Sequence, residues 1–159
     1  MDYAYGLLPN DRKHQVKAIG YYDVTPEITV GGAAVFASGR PRSCSGTNPN
    51  TVGTDYNYQS ASHYCFGATG SQNVPSPRGT VGRLPWEKTV DLNVVYRPTF
   101  FKGLALKVDV FNVLNDQNVQ KVYERYNTNQ ARYALYEAQI YRSAPRSARF
   151  SAEYNIRFN

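Results

Sequence analysis

From Ser147 to Phe158 the residues sort by parity without exception. Ala148, Phe150, Ala152, Tyr154, Ile156 and Phe158 fall on one side, and Ser147, Arg149, Ser151, Glu153, Asn155 and Arg157 on the other. Residues two apart share a face only in an extended chain, so this segment separates apolar from polar as a β-strand and not as a helix. A slip of one residue would turn two arginines and a glutamate toward the apolar side, so the pattern itself fixes the register. Any fold for this chain has to give that strand one apolar and one polar surrounding.

The alternation recurs upstream. Val90, Leu92, Val94 and Tyr96 oppose Asp91, Asn93 and Arg97, with Val95 the exception. Leu104, Leu106, Val108 and Val110 oppose Lys107 and Asp109, with Phe111 on the polar side. Val16, Ala18, Gly20, Tyr22 and Val24, continuing from His14, oppose Lys13, Gln15, Lys17, Tyr21 and Asp23, and Ile19 breaks the polar side. A further segment, Ile28 to Ser38, is almost wholly apolar and small, with Gly31, Gly32, Ala33 and Ala34 at its middle. It reads as a two-sided or bent strand, because glycine inside a strand marks a bend or a close backbone approach. Five strands are expected, near 12–24, 28–40, 88–98, 104–115 and 146–158. Each has about the 9–11 residues that cross a hydrocarbon layer at a tilt.

The connections alternate in length. Residues 25–27 and 98–103 are short links, whereas 41–87 and 116–145 are long and rich in Gly, Pro, Ser, Asn and Tyr. Structureless loops beyond about 15 residues are foreign to compact soluble domains. Outer-membrane barrels, by contrast, join short inner turns to long outer loops. Counting back from a last strand that ends on the inner side puts both long loops outside and both short turns inside. The expected fold class is all-β, with about five antiparallel up-and-down transmembrane strands of an incomplete barrel and two long extracellular loops. Backbone groups unpaired in lipid cost on the order of several kcal/mol each, so five strands need more barrel to close them.

Composition agrees. Fourteen tyrosines and an aromatic content of 14% accompany a hydrophobic fraction of only 42% and a mean hydropathy of -0.54. Tyrosine has an apolar ring and a wet hydroxyl, which suits membrane–water boundaries and half-exposed sheets. No run approaches the roughly 18 apolar residues of a transmembrane helix, while a barrel strand escapes hydropathy plots because only alternate residues meet lipid. The net charge of +6 and pI near 9.3 suit nucleic acid, anionic lipid or an anionic ligand. The cations are scattered, densest at Arg40 with Arg42 and at Arg142, Arg146 and Arg149, so no basic run supports a nucleic-acid partner. The opening MDYAYGLLPNDRKH lacks a basic segment followed by an apolar one, so no secretory signal is visible. Met1 opens partway through what reads as a strand end, which leads to the expectation of a truncated chain.

The run LKVDVFNVLNDQ, within Leu104–Gln117, resembles the penultimate-strand signature of TonB-dependent outer-membrane receptors, and SAPRSARFSAEYNIRF, from Ser143, resembles their last strand. GRLPWEKTVDLNVVYRP, from Gly82, and SGRPRSC, from Ser38, are similar to the Oar-like subgroup. The resemblance covers nearly the whole chain. It implies the C-terminal segment of a plugged barrel of roughly 22 strands, in the outer membrane of a Gram-negative bacterium, taking up a ligand. The implied partners are outer-membrane lipid, the remainder of the barrel and the plug, the barrel-insertion machinery, and TonB through an N-terminal part that this sequence does not contain. Tyr154, Ile156 and Phe158 match the family's C-terminal assembly signal, although Asn159 stands where its last aromatic is usual.

Sites for chemistry are scarce. Cys44 and Cys65 lie 21 positions apart in the first long loop, and an outward-facing loop sits in an oxidising place, so a disulfide is expected. Free thiols, or metal ligation with His63, are the alternatives, and no CxxC spacing supports a metal. His14 and His63 lie beside no nucleophile with an orienting acid. Asp91 and Asp109 sit on polar faces of neighbouring strands, where a charge-paired wall explains them more simply than a glycosidase acid pair. The chain is therefore expected to be no enzyme and to hold no cofactor. Trp86 and Tyr96 suit an interfacial aromatic belt. Tyr56, Tyr58, Tyr64, Tyr126 and Tyr133, with neighbouring Phe66, Tyr123, Tyr136 and Tyr141, either present an aromatic ligand surface or pack on one another. The second long loop, VQKVYERYNTNQARYALYEAQIY, has the composition of a short helix. Two other architectures fit the strands: a soluble β-sandwich or carbohydrate-binding module using the Tyr-rich loops, and a small barrel closed by oligomerisation.

Overall fold

The computed structural model describes residues 3–51, 62–67, 73–128 and 131–156. Among these the chain is all-β, with a single 3-10 turn at Pro49–Thr51 and no α-helix. The strands are β1 (Gln15–Asp23), β2 (Ile28–Ala37), β3 (Tyr64–Cys65), β4 (Val74–Pro75), β5 (Glu87–Tyr96), β6 (Leu104–Phe111), β7 (Val119–Val122), β8 (Asn127–Thr128), β9 (Ala131–Arg132), β10 (Gln139–Arg142) and β11 (Ser147–Tyr154). They divide into two units, a sheet drawn from residues 14–37, 87–118 and 143–159, and a loop unit drawn from 1–13, 38–86 and 119–142.

The sheet has the order β1-β2-β5-β6-β11, antiparallel throughout and unclosed. Its register carries the alternation from strand to strand. Tyr22 pairs with Val30, Val30 with Val94, Val94 with Val108, and Val108 with Phe150. One apolar row thus crosses all five strands, and a second runs through Gly20, Gly32, Leu92, Val110 and Ala148. On the opposite face Tyr21, Gly31, Asn93, Asp109 and Arg149 form one row, and Asp23, Thr29, Val95, Lys107 and Ser151 the next.

β2 pairs with β1 from Thr29 to Ala37 and with β5 from Ile28 to Ala37 without a register shift, so its glycines mark no bulge. Gly31 is instead a point of close approach, because a Cβ there would overlap the Asn93 side-chain oxygen. β6 ends at Phe111, short of residue 115, because Asn112 and Asn115 adopt left-handed φ values of 50° and 52°. Asparagine tolerates that conformation better than most residues.

The short links lie at one end of the sheet and both long excursions leave from the other, where Ala37 pairs with Glu87 and Phe111 with Ser147. In the first short link the Thr25 hydroxyl accepts the Ile28 amide at 3.0 Å. The Thr99 amide and hydroxyl both donate to the Glu27 carboxylate, at 2.9 and 2.5 Å, which joins the two short links. Among the described residues the second long loop holds no helix. Val119–Val122 and Gln139–Arg142 pair as antiparallel strands with shifts in register, since β-branched and aromatic residues with cross-strand partners override a mild helix propensity.

Candidate functional site

The sheet inverts the arrangement of a soluble protein. Phe150 is 78% exposed on the apolar face, and Tyr22, Leu92, Val94 and Leu106 are exposed there as well. Its buried residues lie on the polar face, where Val95 and Ala105 are each 8% exposed. Among the described residues no second layer covers the apolar face, which gives a two-layer soluble sandwich no support.

The polar face is neutralised locally. Arg149 donates twice to Asp109 Oδ2, at 3.0 and 2.9 Å, and its guanidinium lies 5.4 Å from the centre of the Phe111 ring. That contact explains an aromatic residue on a polar face. Lys107 pairs with Glu153 at 2.5 Å rather than with Asp109. Asp91 accepts the Asn112 amide at 2.8 Å and so secures the end of β6. Both carboxylates of the imagined acid pair thus have structural partners.

The loop unit is built around the Cys44–Cys65 disulfide, S–S 2.04 Å, with both cysteines fully buried. Tyr136 is buried against it, with Val81 and Tyr126 partly buried alongside. Phe66, Tyr126 and Tyr136 pack mutually, with centroids 5.2 to 6.1 Å apart. Burial and the neighbouring Glu137 carboxylate push the Tyr136 phenol above its ordinary pKa. Beside this core is a closed amide network in which Asn73 and Asn127 exchange hydrogen bonds at 2.9 and 3.1 Å. Asn73 also donates to the Thr47 carbonyl at 2.9 Å, and the Thr47 amide donates to Asn127 at 3.0 Å. Gly46 lies at its centre, where a Cβ would meet the Tyr64 carbonyl at 2.5 Å and the Asn127 side chain closer still. Arg42 pairs with Glu137 at 2.8 Å, and Arg83 pairs with Asp11.

The expected site residues are placed as follows. Tyr64 is buried and meets Tyr3 edge to face at 5.4 Å, and Tyr126 is partly buried against the disulfide core. Tyr133 is 38% exposed and stacks on Tyr123 at 5.5 Å. Tyr56 and Tyr58 lie outside the described residues, as does Phe158. Tyr154 and Ile156 are exposed, Tyr154 on the apolar face and 5.6 Å from Phe101. Trp86 is half-exposed just before β5, and Tyr96 closes β5 at the other end of the sheet. His63 is depressed in pKa by burial and by Arg78, and its Nδ1 is buried without a partner.

Sequence reading missed the asparagines. Asn73 and Asn127 are 54 positions apart, and Asn112, Asn118 and Gly46 act equally through distant partners. No spacing signal marks such contacts; the high Asn content of the loops is the one available trace.

No family model matches the chain, and no solved structure matches it. A TonB-dependent transporter, Oar, of Myxococcus xanthus is 34% identical over 124 residues, which is 76% of this chain and 10% of the transporter. The chain thus spans about a tenth of that relative's length. With its unclosed antiparallel sheet, that similarity relates the chain to one region of a TonB-dependent receptor.

Proposed function

We propose that this chain forms part of the barrel wall of a TonB-dependent outer-membrane transporter. The apolar face meets lipid, the polar face lines the lumen, and the loop unit faces outward, where it contributes to ligand selection. The observation that carries this reading is the apolar row Tyr22–Val30–Val94–Val108–Phe150, continuous over five strands on the exposed face. In water such a surface promotes aggregation, whereas a lipid-facing band of alternate residues is what a barrel requires. The two free sheet edges would pair with further strands of the same barrel, since lipid leaves no other partner for them. Transport, TonB contact and recognition by the insertion machinery would belong to that whole assembly.

Adjacent residues of β11 supply the test. Phe150 and Ser151 are both exposed and point to opposite faces. Phe150→Cys and Ser151→Cys, each with the native disulfide intact and with this segment carried in a full-length TonB-dependent transporter that supplies the remaining strands, are reconstituted in phosphatidylcholine vesicles and treated with a water-soluble maleimide. Labelling at 151 with protection at 150 is expected. Equal labelling of the two positions contradicts a lipid-facing sheet.

A further inference from the structure

The positive charge of this chain is segregated. The sequence segments of the loop unit hold ten lysines and arginines against five acidic residues, a net of +5, whereas the sheet segments hold eight against seven, a net of +1. Nearly the whole net charge therefore belongs to the loops.

The acids of the loop unit that lie among the described residues are, moreover, already engaged. Asp11 pairs with Arg83, Glu137 with Arg42, and Glu124 accepts the Ser43 amide at 3.1 Å. Arg40, Arg78, Lys121, Arg125, Arg132 and Arg142 have no carboxylate within ion-pair distance among the described residues. The contrast with the sheet is direct, since Lys107 and Arg149 there each have an acidic partner. Uncompensated like charges repel one another and weaken a compact unit, so their retention around a disulfide core calls for a counter-charge from outside.

Three of these cations, Lys121, Arg132 and Arg142, are exposed, and two of them lie over tyrosine rings. The Lys121 ammonium is 5.8 Å from the centre of the Tyr141 ring, and the Arg132 guanidinium 5.6 Å from that of Tyr136. A cation held on an aromatic face is oriented without being neutralised and stays available to an anion. Arginine in particular matches the geometry of phosphate oxygens.

We propose that the loop unit binds a multiply charged phosphate ligand through Lys121, Arg132 and Arg142. Clustered phosphates supply several negative charges over a short span, which a spread of single cations can match. A lipid headgroup and a soluble polyphosphate present the same chemistry. The charge pattern and the packing of the loop unit support this binding irrespective of which way the sheet faces.

The test uses the full chain in zwitterionic detergent micelles. One arm titrates it with tripolyphosphate. The other transfers it to micelles doped with cardiolipin, whose headgroup carries two phosphates, and tyrosine fluorescence is followed in both. Saturable binding is expected in at least one arm, weakening about tenfold or more between 50 and 300 mM salt as screening sets in. A response to tripolyphosphate assigns a soluble polyanion, and a response confined to doped micelles assigns a lipid headgroup. The combined variant Lys121→Gln, Arg132→Gln, Arg142→Gln is expected to lose at least tenfold in affinity, while Lys88→Gln, Lys102→Gln on the sheet retains it. Protection of the disulfide from reductant reports that each variant is folded. Absence of binding in both arms, or equal binding by the two variants, overturns the proposal.

Discussion

The side-chain amide of Asn118 bonds to the backbone of Lys88 at both of its groups. Its Oδ1 accepts the Lys88 amide at 2.9 Å and its Nδ2 donates to the Lys88 carbonyl at 3.1 Å. A carboxamide presents the same donor and acceptor as a peptide unit, so Asn118 acts as one further rung on the edge of β5. It also bonds to Ser143, which draws together the ends of both strands that flank the second long loop.

Asn118→Leu fills the buried site but leaves the Lys88 amide and carbonyl without partners. A buried polar group left unsatisfied costs about 1–3 kcal/mol. Hydrogen exchange at the Lys88 amide is expected to accelerate by about tenfold or more, with smaller changes at Val94 in the middle of the strand. Unchanged protection at Lys88 would show that the amide bridge contributes nothing.

Gly46 and the disulfide together determine whether the loop unit folds. Gly46→Ala places a methyl group against the Tyr64 carbonyl and the Asn73–Asn127 pair, and that pair cannot yield without breaking a buried hydrogen bond. The chain is expected to lose its protection of Cys44–Cys65, so dithiothreitol reduces the variant much faster than the parent. Closing a loop across the 21-residue separation is worth about 3 kcal/mol in the chain-entropy description. Cys44→Ser, Cys65→Ser should therefore make residues 38–86 protease-sensitive. Equal reduction rates for parent and Gly46→Ala would remove the glycine from this role.

Much of the sheet was legible because its information is local. Parity within nine or ten residues identifies each face, and the observed pairing of Val94 with Val108 and of Val108 with Phe150 joins those faces as one surface. Val95, Ile19 and Phe111 look like errors in the pattern, and only the register explains them. Val95 is buried on the polar face, Phe111 lies under Arg149, and Ile19 is exposed on the edge strand. The loop unit was legible at its disulfide and hardly elsewhere. Its order comes from pairings such as Thr47 with Asn127 and Ser43 with Glu124, about eighty positions apart, for which residue type and spacing give no warning.

Glu27 carries a pH dependence. Hydrogen bonds from the Thr99 side chain and backbone hold its carboxyl below the ordinary value. A folded pKa depressed below the unfolded one gives stability that is present above the unfolded value, near 4.5, and lost as pH falls through the folded one. Exchange at the Thr99 amide is expected to become less protected on acidification in the parent. In Glu27→Gln it should be weakly protected already at pH 7 and insensitive to pH from there down to 3. A parent whose Thr99 protection is flat over that range would dissociate the two short links from this carboxylate.

The proposed wall role requires the apolar face to meet lipid, and a pair of charge insertions tests it. Val108 is central to the apolar row, flanked by Val94 and Phe150, while Ser151 belongs to the polar row beside Lys107. An arginine on the lipid face near the bilayer midplane costs about 2–4 kcal/mol, and one in a water-filled lumen far less. With this segment carried in a full-length TonB-dependent transporter in vesicles, Val108→Arg is expected to lower the urea midpoint substantially or to block insertion, and Ser151→Arg to leave it nearly unchanged. In a water-soluble fold both charges would be tolerated alike, because the apolar face would then meet water and Ser151 is exposed in either case.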